Sequence, residues 1–321
     1  MKILFEHNGI LPVQRYGGTE RIIFWLMKEL VKRGHEIFLI ASKNSDVKKH
    51  GIKLIPRTSD DWRSLIPSNI DVVHLFAPTD LDLDFPYLLT IGGNGQIGEA
   101  FPKNTVFVSR KHAQNHASLA YVYNGIDLDE YPYVKGVKKN WNEFMFLAKA
   151  KWKVKNLKNC IQACRANKKH LHIAGGRAFT FSKYIHSHGM VDQKKKLELL
   201  NRSDALLFPV RWHEPFGIAI IEAMALGLPV IGSSYGSLPE LIKPSTGIIC
   251  NSFDELVEAV SGSNNNFKPD EIRRHVEKKF SVQNMADDYL SFYDKVIKGK
   301  TINKIPPTNV TGNNPELLLP F

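Results

Sequence analysis

The stretch Arg211-Trp-His-Glu-Pro-Phe-Gly-Ile-Ala-Ile-Ile-Glu-Ala-Met-Ala-Leu-Gly-Leu-Pro-Val230 follows an apolar segment, residues 205–210, that predicts a buried strand. Pro215 and Gly217 mark the start of a helix, and Gly227 ends it before a second predicted strand. Apolar residues fall on every side of this helix, and a helix that is hydrophobic all round is buried. The stretch therefore predicts a strand–loop–helix–strand corner in the core of an α/β domain.

Two carboxylates lie on this corner. Glu222 stands in the middle of the predicted helix, where a carboxylate must find hydrogen-bond donors or lose its charge. Glu214 comes just before the helix, where the free N–H groups of the first turn point. This combination favours binding of a polyhydroxylated anionic ligand. The spacing alone is equally compatible with a structural alternative, in which Glu222 pairs with an arginine and Glu214 is a solvated loop residue.

Length and composition indicate a two-domain globular protein. The chain has 321 residues, 43% of them apolar and 23% charged, which suits two domains of roughly 150 residues each. No apolar run approaches the roughly 20 residues that span a bilayer, and we expect the first residues not to act as a signal peptide. Three cysteines, an odd number, favour a reducing compartment. We therefore expect a cytoplasmic protein, either free or at the inner face of the membrane.

The net charge of +11 is concentrated in the second half of the chain. Residues 1–135 hold 16 basic against 15 acidic side chains, and residues 136–321 hold 27 against 17. The positive field thus belongs to the half of the chain that holds the two glutamates, and it favours attraction of an anionic ligand. It gives weaker support to peripheral membrane contact, and no nucleic-acid-binding motif accompanies it.

The N-terminal part predicts the first βαβ unit of a doubly wound sheet. A buried strand at 2–5 is followed by a loop, a helix that starts at Gly17 and Gly18, and a second strand at 35–41. The loop lacks the G-x-G-x-x-G pattern, so no dinucleotide cofactor is implied. Two glycines at a helix start let backbone N–H groups approach an anion, although a plain turn explains them equally well.

The string Glu214-Pro-Phe-Gly217, the seven residues between the two glutamates, and Gly227-Leu-Pro-Val230 after the helix resemble one family. It is the retaining nucleotide-sugar glycosyltransferases of the GT-B fold, family 4, or glycosyl transferases group 1. The resemblance extends over about residues 1–298. It implies an α/β fold of two Rossmann-like doubly wound domains that face each other across a cleft.

The resemblance also implies a domain organisation. Helices are predicted to begin near residues 253, 269 and 282. The predicted parts are an acceptor-side Rossmann-like domain (1–130), a donor-binding Rossmann-like domain (140–282), a helix that crosses back to the first domain (283–298) and an extended tail (299–321).

The resemblance implies a set of site residues. Glu214 and His74 would face the transferred sugar, and Glu222 would bind the ribose of the donor. Lys155 and Lys149 would hold the two phosphates, although Lys149 stands where the family has an arginine and cannot form a bidentate fork. Backbone groups would complete the donor site at Gly17, Gly18, Phe216, Gly217 and Ile218.

The implied activity is that of a retaining hexosyltransferase. It would move a sugar from a nucleoside diphosphate sugar to a hydroxyl acceptor: a glycan, a lipid-linked sugar or a small molecule. No cofactor and no obligatory metal are expected, because Asp80, Asp82 and Asp84 lie in the first half and are predicted to be a solvated loop. The alternatives are a sugar-nucleotide epimerase or phosphorylase of the same fold, and a non-enzymatic basic protein that binds nucleic acid or lipid. The sequence does not define the sugar, the base, the acceptor or the oligomeric state.

Overall fold

The computed structural model describes the chain in segments: residues 1–13, 17–58, 61–77, 84–136, 140–263, 266–312 and 317–321. These residues form two compact units. Unit 1 contains Met1–Val13, Gly17–Ile126 and Ser281–Gly312. Unit 2 contains Asp127–Phe280 and residues 317–321.

The elements alternate between strand and helix in both units. The strands are β1 (Lys2–Glu6), β2 (Glu36–Ala41), β3 (Lys53–Pro56), β4 (Val72–Leu75), β5 (Tyr87–Ile91), β6 (Thr105–Phe107), β7 (Glu143–Leu147), β8 (His170–Ala174), β9 (Ile185–Gly189), β10 (Ala205–Phe208), β11 (Val230–Ser233) and β12 (Gly247–Cys250). The helices are α1 (Gly18–Lys32), α2 (Arg110–Gln114), α3 (Leu157–Ala166), α4 (Gln193–Arg202), α5 (Ile218–Ala225), α6 (Leu238–Leu241), α7 (Phe253–Ser261), α8 (Pro269–Lys279) and α9 (Val282–Ile297).

In unit 1 the described strands pair in parallel in the order β3-β2-β1-β4-β5-β6. Ile3, Leu4 and Phe5 of β1 are all fully buried, as expected for a central parallel strand covered on both faces. Helix α1 buries an apolar stripe with helical spacing, and the chain leaves it through Gly34, whose φ of 82° is left-handed. Helix α9 belongs to unit 1, although it comes from the far end of the chain.

In unit 2 the described strands also pair in parallel, in the order β12-β11-β10-β7-β8-β9. One core cluster lies on one face of this sheet and includes alternate residues of the central strands such as Phe144, Phe146, Leu171 and Ile173. The predicted class, α/β with two Rossmann-like doubly wound domains, is confirmed. Within the described part of the chain, every helix is too short or too polar to cross a membrane.

The described residues of the segment predicted as an extended tail, 299–321, are hydrogen-bonded to other parts of the chain. In unit 1, Asn303 Nδ2 donates to the carbonyls of Lys103 and Thr105, and Asn309 Nδ2 donates to the carbonyl of Gly95. In unit 2, residues 317–321 lie against the loop that carries Arg211. Residues 313–316 lie outside the described residues.

Candidate functional site

The sheet of unit 2 has a reversal point at β7. The chain runs from β7 through α3 to β8 and β9, and α4 then returns it to β10 on the other side of β7. Open α/β sheets bind ligands outside the carboxyl ends of the strands at such a reversal. Here the loop at 148–156 follows β7 and the loop at 209–217 follows β10. The topology therefore brings together the two loops that hold the predicted donor-binding lysines and Glu214.

Hydrogen bonds join these two loops directly. The backbone N–H of Arg211 donates to the carbonyl of Val154 at 2.7 Å, and Asn156 Nδ2 donates to the carbonyl of Pro209 at 2.9 Å. Asn156 has a left-handed φ of 60°, which turns the chain from the loop into α3. The two loops that carry Lys155 and Glu214 are thus held together by one backbone and one side-chain hydrogen bond.

Lys155 and Glu214 form a buried ion pair. Lys155 Nζ donates to Glu214 Oε2 at 2.6 Å, and Trp212 Nε1 donates to the same oxygen at 2.6 Å. Each charged residue is 8% exposed. The Lys155 ammonium also lies 4.7 Å from the ring centroid of Trp212 and 5.2 Å from that of Phe208. Two residues predicted to act on the same ligand are therefore in direct contact.

Lys149 lies at the margin of this cluster. Its Nζ is 4.7 Å from the ring centroid of Trp152, and its side chain is partly exposed. Trp152 in turn makes an edge-on contact with Trp212 at 5.9 Å between centroids. Lys149 thus borders the ion pair through two tryptophans.

Glycines set the shape of the Glu214 corner. Gly217 precedes α5 with a left-handed φ of 90°, so the first turn of the helix starts at Ile218. Gly236 has a φ of 62°, and a Cβ there would lie 2.3 Å from both the N and the O of Glu214. The next residue, Ser237, donates its N–H to the Glu214 carbonyl at 3.0 Å and its hydroxyl to the Phe216 carbonyl at 2.6 Å. The 233–237 loop therefore clamps the backbone on which Glu214 stands.

Glu222 is buried on α5 and is bonded to two side chains. Tyr131 OH donates to Glu222 Oε1 at 2.5 Å, and Lys196 Nζ donates to the same oxygen. Lys196 is 7% exposed and Tyr131 is fully buried. The buried acid therefore does have a cationic partner, a lysine on α4 in place of the arginine considered from the sequence.

In unit 1, the two predicted glycines begin α1. Gly17 precedes the helix with a φ of 151°, and Gly18 is its first residue. A Cβ on Gly17 would lie 2.7 Å from Glu20 Oε2, so a glutamate of the first turn folds over this helix start. The role of Gly17 and Gly18 in anion binding stays a prediction.

His74 is fully buried in unit 1. Its Nδ1 is 2.6 Å from Tyr293 OH, and its Nε2 is 2.8 Å from Thr90 Oγ1. Rings of Phe76 and Tyr289 pack against it at 4.2 and 4.7 Å between centroids. Burial holds the pKa of His74 well below its usual range. Because both ring nitrogens are occupied inside the core, we assign His74 no catalytic step.

Asp84, one of the three aspartates predicted to be solvated, is exposed, whereas Asp80 and Asp82 lie outside the described residues. Among the residues that the structure describes, no group of three or more histidine, cysteine or carboxylate side chains is arranged to hold a metal ion. The expectation that no metal is needed stays a prediction.

Residues 129–275 match the family model of glycosyl transferases group 1. This segment is a group 1 glycosyltransferase domain. It contains Lys149, Lys155, Glu214 and Glu222, so the match covers the ion pair and the buried helix together.

Curated and solved proteins are similar to parts or most of this chain. The chain is 30% identical over 197 residues to a 41.2 kDa protein of the cps region of Klebsiella pneumoniae. The matched residues make up 54% of this chain and 54% of that protein. The matched stretch thus spans about half the length of that relative. In fold, the whole chain is similar to AviGT4, a glycosyltransferase involved in avilamycin A biosynthesis (TM-score 0.78, 20% identity, 94% of this chain and 99% of that one). It is also similar to Anabaena HepE, solved with UDP and glucose (TM-score 0.67, 15% identity, 92% and 99%).

Sequence reasoning missed Lys196 and Tyr131 of the group 1 glycosyltransferase domain. A signal for Lys196 was present: it occupies the first position of the i, i+3, i+4 stripe whose other members, Leu199 and Leu200, are buried. A lysine on the apolar stripe of a helix needs an acidic partner. Tyr131 carried no comparable signal, because its hydroxyl could have pointed to solvent.

Proposed function

We propose that this chain is a retaining glycosyltransferase that moves a hexose from a nucleoside diphosphate sugar to a hydroxyl acceptor. The observation that carries the proposal is the Lys155–Glu214 ion pair at the reversal point of a group 1 glycosyltransferase domain. A buried cation and a buried carboxylate, side by side, suit a ligand that has both phosphate oxygens and sugar hydroxyls.

The diphosphate would be neutralised by lysines and by a helix start. Lys155 and Lys149 supply the ammonium groups, and the N–H groups at Phe216, Gly217 and Ile218 lie at the start of α5, the end of a helix whose dipole favours an anion. As the bond to the sugar breaks, negative charge grows on the departing diphosphate, so these groups stabilise the transition state more than the ground state. No metal ion is required in this scheme.

Glu214 would bind the sugar as a hydrogen-bond acceptor. Its Oε2 already accepts from Lys155 and Trp212, which fix its orientation. Retention of configuration would follow from departure of the diphosphate and attack of the acceptor on the same face of the sugar. In that scheme Glu214 positions and stabilises the sugar and forms no covalent bond.

Glu222 would bind the donor ribose from its place on α5. The complex of HepE with UDP and glucose supports a nucleoside diphosphate sugar as the donor class, since that protein has a similar fold. A cytoplasmic location would place the protein beside the pool of such donors.

The first test is binding of nucleotides to the purified protein. Nucleoside diphosphates and their sugar conjugates should raise the Tm in the presence of EDTA, because any ligand that binds only the native state stabilises it. Lys155→Ala should then lower kcat of transfer by roughly 10²-fold, the effect of losing one preorganised electrostatic contact. Lys151→Ala and Lys153→Ala, which remove exposed lysines of the same loop, are the matched controls.

The anomeric configuration of the product tests whether the transfer proceeds with retention. A product anomer that matches the donor supports retention, and the opposite anomer excludes it. A protein whose Tm is unchanged by every nucleoside diphosphate and sugar nucleotide would refute the proposed donor class.

A further inference from the structure

Both contacts of the Glu222 carboxylate go to one oxygen. Oε1 accepts from Tyr131 OH and from Lys196 Nζ, and a carboxylate oxygen has two lone-pair sites. Within the described residues, no further hydrogen bond of the Glu222 side chain is found. Oε1 is therefore saturated by the protein itself, and Oε2 is the oxygen left for a ligand.

The lysine cannot be a solvated residue that happens to lie nearby. Its side chain is 8% exposed and that of Glu222 is 7% exposed. Removing either partner would leave the other charge buried without compensation, which is strongly unfavourable. Its neighbour Lys194, on the same helix, is by contrast exposed.

Two separate elements thus converge on one carboxylate oxygen. Lys196 comes from α4, and Tyr131 lies just after a 3₁₀ turn, Leu128–Glu130. Arg273 Nη1 donates to the carbonyls of Tyr131 and Ala225, so the tyrosine is anchored to the end of α5. This arrangement fixes the side-chain rotamer of Glu222 from two directions.

We propose that Lys196 and Tyr131 are positioning residues for donor specificity: they hold Glu222 so that Oε2 alone addresses the ribose hydroxyls. The inference rests on the proposed function, because it assumes that the ligand of α5 is a nucleoside diphosphate. Neither residue touches the sugar or the reacting atoms. Their effect on the donor passes through Glu222.

A cycle that combines protein variants with altered ligands tests this role. The affinities of a nucleoside diphosphate and its 2′,3′-dideoxy analogue are measured by calorimetry for the parent protein, Lys196→Met and Tyr131→Phe. In the parent, loss of the two hydroxyls should weaken binding by roughly 10- to 100-fold, as expected for hydrogen bonds to a charged group. In Lys196→Met this ratio should fall below about 3-fold, because Glu222 is no longer held toward the ribose.

Tyr131→Phe removes one donor and little volume, so we expect it to keep the fold even where Lys196→Met fails to do so. It should give an intermediate ratio. Lys194→Met is the matched control and should keep the ratio of the parent.

The outcomes separate the inference from the proposed function. If both variants weaken binding of the two ligands by the same factor, the residues are merely structural and the inference is wrong. If the parent binds the diphosphate but does not discriminate against the dideoxy analogue, the inference fails and the proposed function stands. If the parent binds neither ligand, both fail. In steady-state kinetics, an effect on kcat with an unchanged donor KM would also overturn the inference.

Discussion

Lys155→Met should destabilise the group 1 glycosyltransferase domain more than Glu214→Gln, although both changes break one ion pair. At 2.6 Å and an effective dielectric constant of 20, the attraction is about 6 kcal/mol. Desolvation of two buried ions offsets it by several kcal/mol each, so the net contribution of the pair is close to zero. The loss of folding free energy caused by a single substitution therefore depends on the hydrogen bonds and contacts that the remaining partner still makes.

The two remaining partners differ. After Lys155→Met, the Trp212 N–H is the one side-chain donor that the described residues still offer to the Glu214 carboxylate, and an uncompensated buried charge costs roughly 3–5 kcal/mol. After Glu214→Gln, the Lys155 ammonium keeps an amide oxygen and still lies against the rings of Trp212 and Phe208, each contributing roughly 1 kcal/mol. We expect Glu214→Gln to cost roughly 1–2 kcal/mol.

Urea unfolding near neutral pH, followed by circular dichroism, measures these free energies by linear extrapolation. The double variant should cost less than the two single changes together, with a coupling of at least about 2 kcal/mol. Lys151→Met, which removes an exposed lysine, should change stability by no more than about 0.5 kcal/mol. Equal single costs that add in the double variant would show that the two side chains do not form a buried pair.

Three further changes test other parts of the structure. In Gly236→Ala, the new Cβ would collide with the backbone of Glu214, and the left-handed φ of residue 236 would be strained, so kcat/KM should fall by roughly 10-fold or more. An unchanged kcat/KM would show that the 233–237 loop does not hold the Glu214 backbone in place. Burial lowers the pKa of His112 to about 3, below its ordinary value of about 6.5, so the unfolded state binds more protons between these values. Stability should then fall with pH from about 6.5 toward 3, by at most about 1.4 kcal/mol per pH unit, and His112→Asn should flatten the profile seen in urea titrations. Leu319→Pro removes the N–H that donates to the Arg211 carbonyl at 3.0 Å, so nucleotide binding should weaken by a few-fold in calorimetry, whereas an unchanged Kd would separate this segment from the site.

The fold could be predicted because local patterns and topology agree. The predicted helix starts near 253, 269 and 282 coincide with the first residues of α7, α8 and α9. Serines cap α7 and α9, and a proline is the first residue of α8. The corner around Glu214 was equally visible, since Pro215, Gly217 and Gly227 punctuate an apolar helix.

The environment of single polar residues could not be predicted, because distant residues create it. His74 is enclosed by Tyr289 and Tyr293, which lie more than 200 residues further along the chain. The position of His74 in β4 could be predicted from the sequence. That α9 would cover this histidine could not, because nothing in the sequence near His74 indicates it. Lys196 was overlooked for the opposite reason: three consecutive lysines suggest a solvated face, and only the helical spacing places the last of them in the core.

The positive charge of unit 2 takes on a more specific meaning in the structure. Lys155 and Lys196 neutralise Glu214 and Glu222 internally, so these four side chains together contribute little net field at the corner. Under the proposed function, an incoming diphosphate would therefore meet Lys149 and the first turn of α5 before it competes with Glu214 for the Lys155 ammonium. Because that ammonium is already desolvated, transferring it from a carboxylate to a phosphate oxygen costs little further desolvation. Glu214 would then hold the Lys155 ammonium in a desolvated state until the donor binds and its phosphate replaces the carboxylate as the partner of that ammonium.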